Sequence, residues 1–393
     1  MPEALTSRER VLLAINHQEP DRVPIDINYS WQAYTALRDH FGLPEETLSP
    51  DIWSRVWESP DLVNRLGTDC LNVGLDIPVS GRNFQWNTER HRDDYGIVWE
   101  KVYRDEHFYY EMRDYPIKEP SMTFIDNFDW PDPQDPAIYE GIEARIAHLH
   151  ETTDLAIITL LATHIWERAT FMCGNEDWWK YLIKAPDFCV ALMKKLADIQ
   201  RQIYFRGLDK VGQYTTILRL GGEDFGTQQG LFISPTMFRE LVKPVLKSVY
   251  EPVKEKYLSL NPEGKLLFHS DGAIRDLIPD FLDLGIDILD PVQPRPEGMN
   301  GLKLRKDFGD KIVFHGGIDT QKALPFGSLE EIKEETERKI EMFAPGGGYI
   351  LNPSHMVQSD VSPEKIVHMV NHAKRHGTYP IQRNYTDEEL LQE

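Results

Sequence analysis

The sequence predicts one α/β domain, residues 1–393, folded as a (β/α)8 (TIM) barrel with a β-rich insertion after the second strand. Near-continuous apolar runs recur along the chain, which is typical of parallel strands covered on both faces. Most of these runs are followed by a segment long enough for a helix. A doubly wound open sheet is the alternative, but it normally carries a glycine-rich loop after its first strand, and "VPIDINYSW" has none.

The predicted strands follow one another in chain order, at 23–28, 69–75, 155–162, 215–222, 265–270, 286–292, 311–317 and 347–353. Helix starts are indicated by capping boxes and Ser-Pro pairs, at Thr6–Glu9, Ser234-Pro235, Ser328–Glu331 and Ser362-Pro363. Pro244 and Pro252 are expected to kink or divide the helix that follows Pro235. The last helix is expected to end at Gly377.

The insertion is predicted over residues 77–150, where the strand–helix rhythm stops. The stretch "HRDDYGIVWEKVYRDEHFYYEMRDYP" alternates like the paired strands of a β-hairpin. The stretch "DNFDWPDPQDP" is a proline-rich connector. We expect this segment to be part of the barrel domain and not an independent unit.

The composition excludes several classes of protein. A formal net charge of −21 argues against nucleic-acid binding, which needs a concentrated basic surface. No apolar run is long enough to span a membrane, and no polybasic segment could hold an anionic one. Three cysteines without a CxxC pair, and an amino terminus without a secretory pattern, indicate a cytoplasmic protein.

Polar residues follow nearly every predicted strand. Because the carboxyl ends of barrel strands meet at one face, we expect many of these side chains to share a pocket. They are Asp26, Asn28, Asn72, Asp76, His164, Trp166, Glu167, Glu223, Asp224, His269, Asp271, Asp290, Gln293, His315, Asp319, Asn352 and His355.

The stretch "KLLFHSDGA" places two of these groups side by side. His269 and Asp271 are two positions apart at a strand end, so they point the same way. With His355 they form a candidate site for Zn²⁺ or another divalent ion, and Glu223 could join or replace Asp271. A hydrogen-bonded His–Asp pair without a metal is the alternative.

Aromatic residues also lie near the strand ends. Tyr29, Trp31, Trp166 and Phe225 would together suit a flat, apolar or aromatic substrate, although core or rim packing is the more common role of each one taken singly. Arg219 lies within a predicted strand, where structural pairing with a carboxylate is its ordinary role.

Several longer segments resemble the uroporphyrinogen decarboxylase superfamily across most of the chain. They are "SRERVLLAINHQEPDRVPIDI", "WERATFMCG", "GGEDFGTQQGLFISP", "FHSDGAIRDLIPDFLDLGIDILDPVQP", "FGDKIVFHGGIDTQKALPFG" and "GGGYILNPSHMVQSDVSPEKI". The resemblance implies a (β/α)8 barrel. It is closer to the corrinoid-dependent methyltransferase branch, which includes methylcobamide:coenzyme M methyltransferases and the substrate-demethylating components of O-demethylase systems.

Two departures from the family patterns carry information. The decarboxylases have an arginine-rich "RQAGR" segment after the first strand, whereas this chain reads "NYSWQAY" there. Burying several substrate carboxylates without cations would be costly. In the methyltransferase branch an H-x-C-G motif and a later cysteine bind zinc; His269 matches the first ligand, Asp271 replaces the cysteine and His355 stands near the last. Oxygen and nitrogen ligands make the site harder and favour polarising an oxygen over activating a thiol.

The resemblance therefore implies an enzyme that moves a methyl group from an O-methyl substrate, in particular an aryl methyl ether, to a corrinoid protein. His269, Asp271 and His355 would hold the metal, and Glu223 and Asp224 would act as general acids or support it. The residues expected to contact the small methylated substrate are Asp26, Asn28, Tyr29, Trp31, Asn72, Trp166, Phe225 and His315. Two alternatives stay open: a decarboxylase that uses Asp26 or Asp76, and a ligand-binding barrel without catalysis.

Overall fold

Ten strands form two sheets in the part of the chain that the computed structural model describes, which is residues 5–47, 50–75, 81, 83–86, 88–104 and 107–392. The strands are β1 (Cys70–Gly74), β2 (Arg90–Arg92), β3 (Val98–Arg104), β4 (His107–Asp114), β5 (Ala156–Leu160), β6 (Ile217–Arg219), β7 (Lys265–His269), β8 (Ile288–Val292), β9 (Val313–Ile318) and β10 (Tyr349–Pro353). Seven of them are parallel, in the order β1-β5-β6-β7-β8-β9-β10. Seven predicted strands thus fall on observed ones, most of them shorter than predicted.

The first predicted strand, 23–28, is an extended segment and not a regular strand. Its only parallel bridge among the described residues joins Ile25 to Leu351 of β10. The N–H of Asp26 donates to the Leu351 carbonyl at 2.9 Å, and the Ile25 carbonyl accepts from the N–H of Asp69 at 2.7 Å, just before β1. Pro24 has no N–H to donate, and the Ile25 N–H goes to the Asp69 carboxylate at 2.8 Å instead of to a strand. The segment still lies between β10 and β1, so it closes the barrel.

The α-helices are α1 (Ser7–Ile15), α2 (Trp31–His40), α3 (Pro60–Leu66), α4 (Met122–Asn127), α5 (Ile142–Thr152), α6 (Trp166–Cys173), α7 (Asn175–Lys184), α8 (Pro186–Val211), α9 (Pro235–Met237), α10 (Lys243–Leu260), α11 (Ile278–Asp283), α12 (Gly301–Phe308), α13 (Ala323–Phe326), α14 (Leu329–Phe343), α15 (Pro363–His376) and α16 (Asp387–Leu391). In the described part of the chain, no helix combines the length and apolar character needed to cross a bilayer.

Local sequence signals explain where several helices begin. Both predicted capping boxes are formed, at Thr6 for α1 and at Ser328 for α14. A π-helical turn at Phe238–Val242 separates α9 from α10, so the division falls just before Pro244. Pro252 lies inside α10 without ending it.

The β-rich insertion contains the second sheet, in which β2, β3 and β4 pair antiparallel. Asp93, buried next to β2, accepts N–H groups of the following turn and the Trp99 indole N–H at 3.0 Å. It also pairs with Arg168 of α6 at 3.0 Å. This buried ion pair fixes the insertion against the barrel.

Apolar side chains fill the barrel interior toward the amino ends of its strands. There Ile158, Leu267 and Ile350 pack against Val11 and Ile15 of α1, which closes that end. Space for a ligand is therefore left at the carboxyl ends of the strands.

Candidate active site

A cavity of about 840 Å³ opens at the carboxyl ends of the barrel strands. Its lining includes several ionisable side chains that the sequence places after different strands: His164, Arg219, Asp224, His269, Asp271 and His355. A concave site with convergent polar groups at this end of a barrel is the usual arrangement of an enzyme active site.

His269, the last residue of β7, connects the buried barrel to the cavity. Its Nδ1 lies 2.8 Å from Asp290 Oδ2, so this nitrogen donates to the carboxylate. Its Nε2 faces Asp271 Oδ1 at 3.6 Å and Asp224 Oδ1 at 3.8 Å. Burial opposes protonation, but the hydrogen bond to Asp290 and the charge of Asp271 raise the pKa of His269 to about 9.

Asp271 lies between the two predicted histidines. Its Oδ2 is 3.8 Å from His355 Nε2, and its Oδ1 is buried without a hydrogen-bond partner in the described structure. The side chain of His355 is 39% exposed to the cavity. Burial in the protein interior lowers the pKa of His355, despite the Asp271 carboxylate nearby.

These three residues fit a divalent metal. The candidate ligand atoms of His269, Asp271 and His355 all lie within 4.8 Å of one another. The Asp290 carboxylate holds His269 so that Nε2 is directed at the others, as in many metal sites where a carboxylate orients a ligating histidine. The partnerless Asp271 oxygen is a free ligand atom. The geometry thus agrees with the predicted ligand set, whose role as metal ligands stays a prediction.

Asp224 lies at the edge of this cluster. Its Oδ1 accepts the N–H of Asp271 at 2.9 Å. Burial, with the charges of Glu167 and Asp271, raises the pKa of Asp224 to about 8. A neutral carboxyl group can donate a proton, so the position and state of Asp224 suit a general acid.

A second group of polar residues is buried at and below the floor of the cavity, which Asp290 and Arg219 line. Asp290 accepts from His269 and from His315 Nδ1, the latter at 2.6 Å, and pairs with Arg219 at 3.0 Å. His315 Nε2 reaches Asp26 at 3.0 Å, and Asp26 also accepts from the Asn72 amide at 2.9 Å.

Charge complementarity stabilises this buried network. Burial opposes ionisation of Asp290, but the charges of Arg219 and His315 and the hydrogen bonds of both histidines hold its pKa well below the usual range. Burial likewise opposes protonation of His315. The carboxylates of Asp290 and Asp26 outweigh this effect of burial and raise the pKa of His315 to about 9. Arg219 has the structural partner that its place in a strand requires.

The predicted substrate residues divide into two sets. Asn28 and Trp166 line the cavity. Asp26, Asn72 and His315 do not line it, because they are buried below it and bonded to one another. Asp76, the alternative decarboxylase residue, lies outside the described residues.

Three of the aromatic residues predicted to contact the substrate lie outside the cavity lining. Phe225 is fully buried and packs against Trp166, Phe238 and Phe281. Tyr29 is 4% exposed. Trp31 packs on Trp86 and Phe108 of the insertion. None of the three is among the described residues that line the cavity, which corrects the expectation of substrate contact.

Glu223 has a structural role that the sequence did not reveal. Its carboxylate accepts the backbone N–H groups of Ile165 and Glu167, so it caps the amino end of α6. Burial and the charge of Glu167 raise the pKa of Glu223 well above its usual value. With both oxygens engaged by backbone amides, it is not positioned to join or replace Asp271 as a ligand.

Several cavity residues were not predicted. Trp53 and Phe171 contribute an aromatic wall with ring centroids 5.7 Å apart, and Tyr110 of β4 adds a ring from the insertion. Arg55 also lines the cavity. The unusual density of tryptophans in "DIWSRVWESP" was the available signal.

Arg55 is a loosely paired cation. Its Nε lies 3.5 Å from Asp51 Oδ2, and that oxygen is buried without a hydrogen-bond partner in the described structure. Burial and the nearby Arg219 lower the pKa of Arg55, against the attraction of Asp51. A guanidinium held this loosely at a cavity wall is available to an acidic ligand.

The barrel and its polar mouth define a (β/α)8 protein of the enzymatic type. The model of the uroporphyrinogen decarboxylase (URO-D) family matches residues 6–376, and the chain belongs to this family of enzymes. The superfamily predicted from the sequence is thereby confirmed.

Three curated relatives carry the name uroporphyrinogen decarboxylase. That of Magnetococcus marinus is 25% identical over 221 residues, which cover 54% of this chain and 57% of the relative. That of Thioalkalivibrio sulfidiphilus is 27% identical over 73 residues, which cover 19% of this chain and 20% of the relative. That of Bacillus subtilis is 22% identical over 401 residues, which cover 96% of this chain and 100% of the relative. The chain thus spans little more than half the length of the first relative and a fifth of the second.

A solved structure shares the whole architecture. The methyltransferase from Methanosarcina mazei superposes with a TM-score of 0.64 at 15% identity, covering 94% of this chain and 99% of the other. At this identity the match shows the common fold.

Proposed function

We propose that this protein transfers a methyl group from an aryl methyl ether to a corrinoid protein. The observation that carries the proposal is the His269–Asp271–His355 cluster, which opens onto the cavity with a partnerless carboxylate oxygen. A ligand-ready cluster of hard donors suits a reaction in which an oxygen leaving group must be stabilised. The barrel of the Methanosarcina mazei methyltransferase is an example of the same fold in a protein of that name.

The reaction requires heterolysis of the methyl–oxygen bond. The methyl carbon leaves without the bonding electrons, the reduced corrinoid of the partner protein supplies a new pair, and the oxygen keeps the old one. A divalent ion, when bound to the cluster, would polarise that oxygen as a Lewis acid. Asp224, which lines the cavity beside His269, would give the departing oxygen its proton.

The cavity fits an aromatic leaving group. Trp53 and Phe171 provide apolar ring surface along its wall, and stacking would fix the plane of a substrate ring. A phenoxide also departs more readily than an alkoxide. At about 840 Å³ the space is large enough for a single-ring substrate.

The test incubates the enzyme with reduced corrinoid protein and a matched panel of O-methyl, N-methyl and S-methyl arenes. We expect methylated corrinoid from the ethers, together with about one divalent ion per chain at the cluster. His269→Ala should lose activity and the metal ion of the cavity cluster. His148→Ala, at an exposed position on α5, is the matched control and should keep both.

Methylation from thioethers or amines alone would remove the oxygen preference. Methyl transfer that survives His269→Ala, with no loss of bound metal relative to the wild type, would refute the proposed site. Absence of both metal and turnover in the wild-type protein would favour a ligand-binding barrel.

One observation favours decarboxylation as the second candidate. Arg55 and Arg219 line the cavity, and the first of them is only loosely paired, so a substrate carboxylate could be held there. The relatives named uroporphyrinogen decarboxylase agree with such a reading. Release of carbon dioxide from a tetrapyrrole acid or a smaller acid, without methyl transfer, would establish it.

A further inference from the structure

A second cluster of ligand-type residues lies outside the cavity lining and outside the barrel strands. It consists of Glu337 on α14 and His372 and His376 on α15, and their candidate ligand atoms all lie within 4.8 Å of one another. We propose that this cluster binds a divalent transition-metal ion, such as Zn²⁺, that clips α14, α15 and the C-terminal segment together. The inference is independent of the proposed methyl transfer.

The two histidines have the spacing that one metal ion requires. Residues four apart on a helix share a face, and the rings of His372 and His376 stack with centroids 5.9 Å apart and planes inclined by 15°. Two imidazoles one turn apart and a carboxylate from a facing helix make a three-ligand set with the preferred donors of zinc.

The distances are close to those of a bound ion. Glu337 Oε1 lies 2.9 Å from His372 Nε2 and 4.0 Å from His376 Nδ1. Ligand atoms on a tetrahedral zinc ion, at about 2.0–2.1 Å from the metal, are roughly 3.3 Å from each other. Small side-chain rotations would therefore bring the three atoms around one ion and leave a fourth position for water.

A buried carboxylate already orients one ligand. His376 Nε2 lies 3.1 Å from Glu341 Oε1, so this nitrogen donates and Nδ1 is left facing Glu337. A ligating histidine whose other nitrogen donates to a carboxylate is the common supporting arrangement in metal sites. The Glu341 side chain is fully buried, which fixes the orientation.

A third histidine of α15, His368, lies one turn before the cluster and has a ring nitrogen without a partner among the described residues. His368 precedes His372 by one turn, with ring centroids 6.5 Å apart, and its Nε2 is buried without a hydrogen-bond partner in the described structure. A bound ion, or the water that completes its coordination, would give this nitrogen a partner that the protein alone does not supply.

The same residues hold the C-terminal segment. The other oxygen of Glu341 accepts the N–H groups of Asn384 and Tyr385 at 2.9 and 3.0 Å. The Tyr385 hydroxyl donates to Glu337 Oε2 at 3.3 Å. An ion between α14 and α15 would thus stiffen the contact of both helices with the last residues of the chain, and ligand binding to the folded state alone raises stability.

The experiment uses the full-length, untagged chain after treatment with a chelator, titrated with Co²⁺ and Zn²⁺ alone. His355→Ala is the background, because it removes the cavity cluster and leaves one site to observe. In this background we expect one Co²⁺ per chain with a visible spectrum of tetrahedral type, and a rise in Tm with Zn²⁺.

His376→Gln and Glu337→Gln, each added to that background, keep a polar side chain but remove a ligand. We expect either to weaken metal binding at least about tenfold and to abolish the rise in Tm. Circular dichroism checks that both variants fold. Neither residue belongs to the proposed active site, so either variant alone should keep the methyl transfer activity.

Two results would overturn the proposal. The first is the absence of stoichiometric Co²⁺ binding in the His355→Ala background, which would leave the cluster as a hydrogen-bonded network. The second is metal binding that both Gln variants leave unchanged. Neither result depends on whether the enzyme transfers methyl groups.

Discussion

Two layers of polar residues lie at the carboxyl end of the barrel, and they differ in how completely their groups are paired. In the lower layer, Asp26, Asp290 and His315 are at most 2% exposed and hydrogen-bonded to one another in a chain. In the upper layer, Asp271 and His355 approach no closer than 3.8 Å, and one Asp271 oxygen has no hydrogen-bond partner among the described residues. The lower layer is built for stability, and the upper layer is open to a ligand.

His269 belongs to both layers. Its Nδ1 is held by Asp290 below, and its Nε2 faces Asp271 and Asp224 above. The lower layer thus fixes the orientation of the one ring that the upper layer needs. Buried charges stay ionised only where partners compensate the loss of water, which explains why the paired layer is the buried one.

The largest effect on stability is expected from Asp290→Asn. The change leaves Arg219, His269 and His315 without their shared counter-charge in a buried site, which we expect to cost about 3–5 kcal/mol. Urea denaturation measures the free energy of unfolding. A loss below about 1 kcal/mol would show that the lower layer does not depend on this charge.

The second prediction concerns the pH dependence of the lower layer. The pKa of His315 is raised from an ordinary 6.5 to about 9 by Asp290 and Asp26, against the effect of burial. Its stabilising contribution is therefore complete below about pH 6.5 and is lost as the pH rises through about 9. Each pKa unit corresponds to about 1.4 kcal/mol, so the contribution is at most ~3–4 kcal/mol.

The measurement compares unfolding free energies of the wild-type protein and His315→Gln between pH 6 and 10. The advantage of the wild type should shrink across that range. A constant difference would mean that His315 is neutral in the folded protein.

The sequence predicted the barrel strands more completely than the residues of the cavity wall. Seven strands were located because buried parallel strands are nearly continuous apolar runs. The first, 23–28, was wrong as a regular strand because Asp69, distant in sequence, takes its backbone N–H. His269 and Asp271 were found together because strand geometry alone fixes their common direction.

Residues whose position depends on tertiary packing were not predictable in this way. Glu223 and Asp224 are adjacent, but one caps α6 and the other lines the cavity, and the sequence does not distinguish them. Trp53 and Tyr110 reach the cavity from a loop and from the insertion. Their approach depends on how those segments fold over the barrel, which no local pattern encodes.

The third prediction tests Glu223 as a structural residue. Glu223→Gln replaces one acceptor oxygen by an NH₂ group, which leaves a buried backbone N–H of Ile165 or Glu167 without an acceptor. We expect a loss of about 1–2 kcal/mol in the free energy of unfolding. Methyl transfer per folded molecule should change little. A large fall in activity with unchanged stability would return Glu223 to the list of catalytic candidates.

The smallest effect on stability, and the sharpest contrast with Asp290, is expected from Asp271→Asn. The same chemical change is made one layer higher, where the carboxylate has a buried oxygen without a partner and histidines no closer than 3.6 Å. Among the described residues no close hydrogen bond or ion pair of its side chain stabilises this charge, so removing it should alter the free energy of unfolding by less than about 0.5 kcal/mol.

The same variant should lose activity and the metal ion of the cavity cluster, because an amide oxygen is a weaker ligand than a carboxylate and the cluster keeps only its two histidines. We expect methyl transfer to fall at least about 100-fold while the denaturation curve stays where it was. The measurements are denaturation, metal analysis and activity assays, made in parallel on Asp271→Asn and Asp290→Asn. They show whether each carboxylate contributes to stability or to metal binding and activity. If Asp271→Asn proved as destabilising as Asp290→Asn, the upper layer would be part of the structural network, and the distinction between a stabilising and a ligand-binding layer would fail.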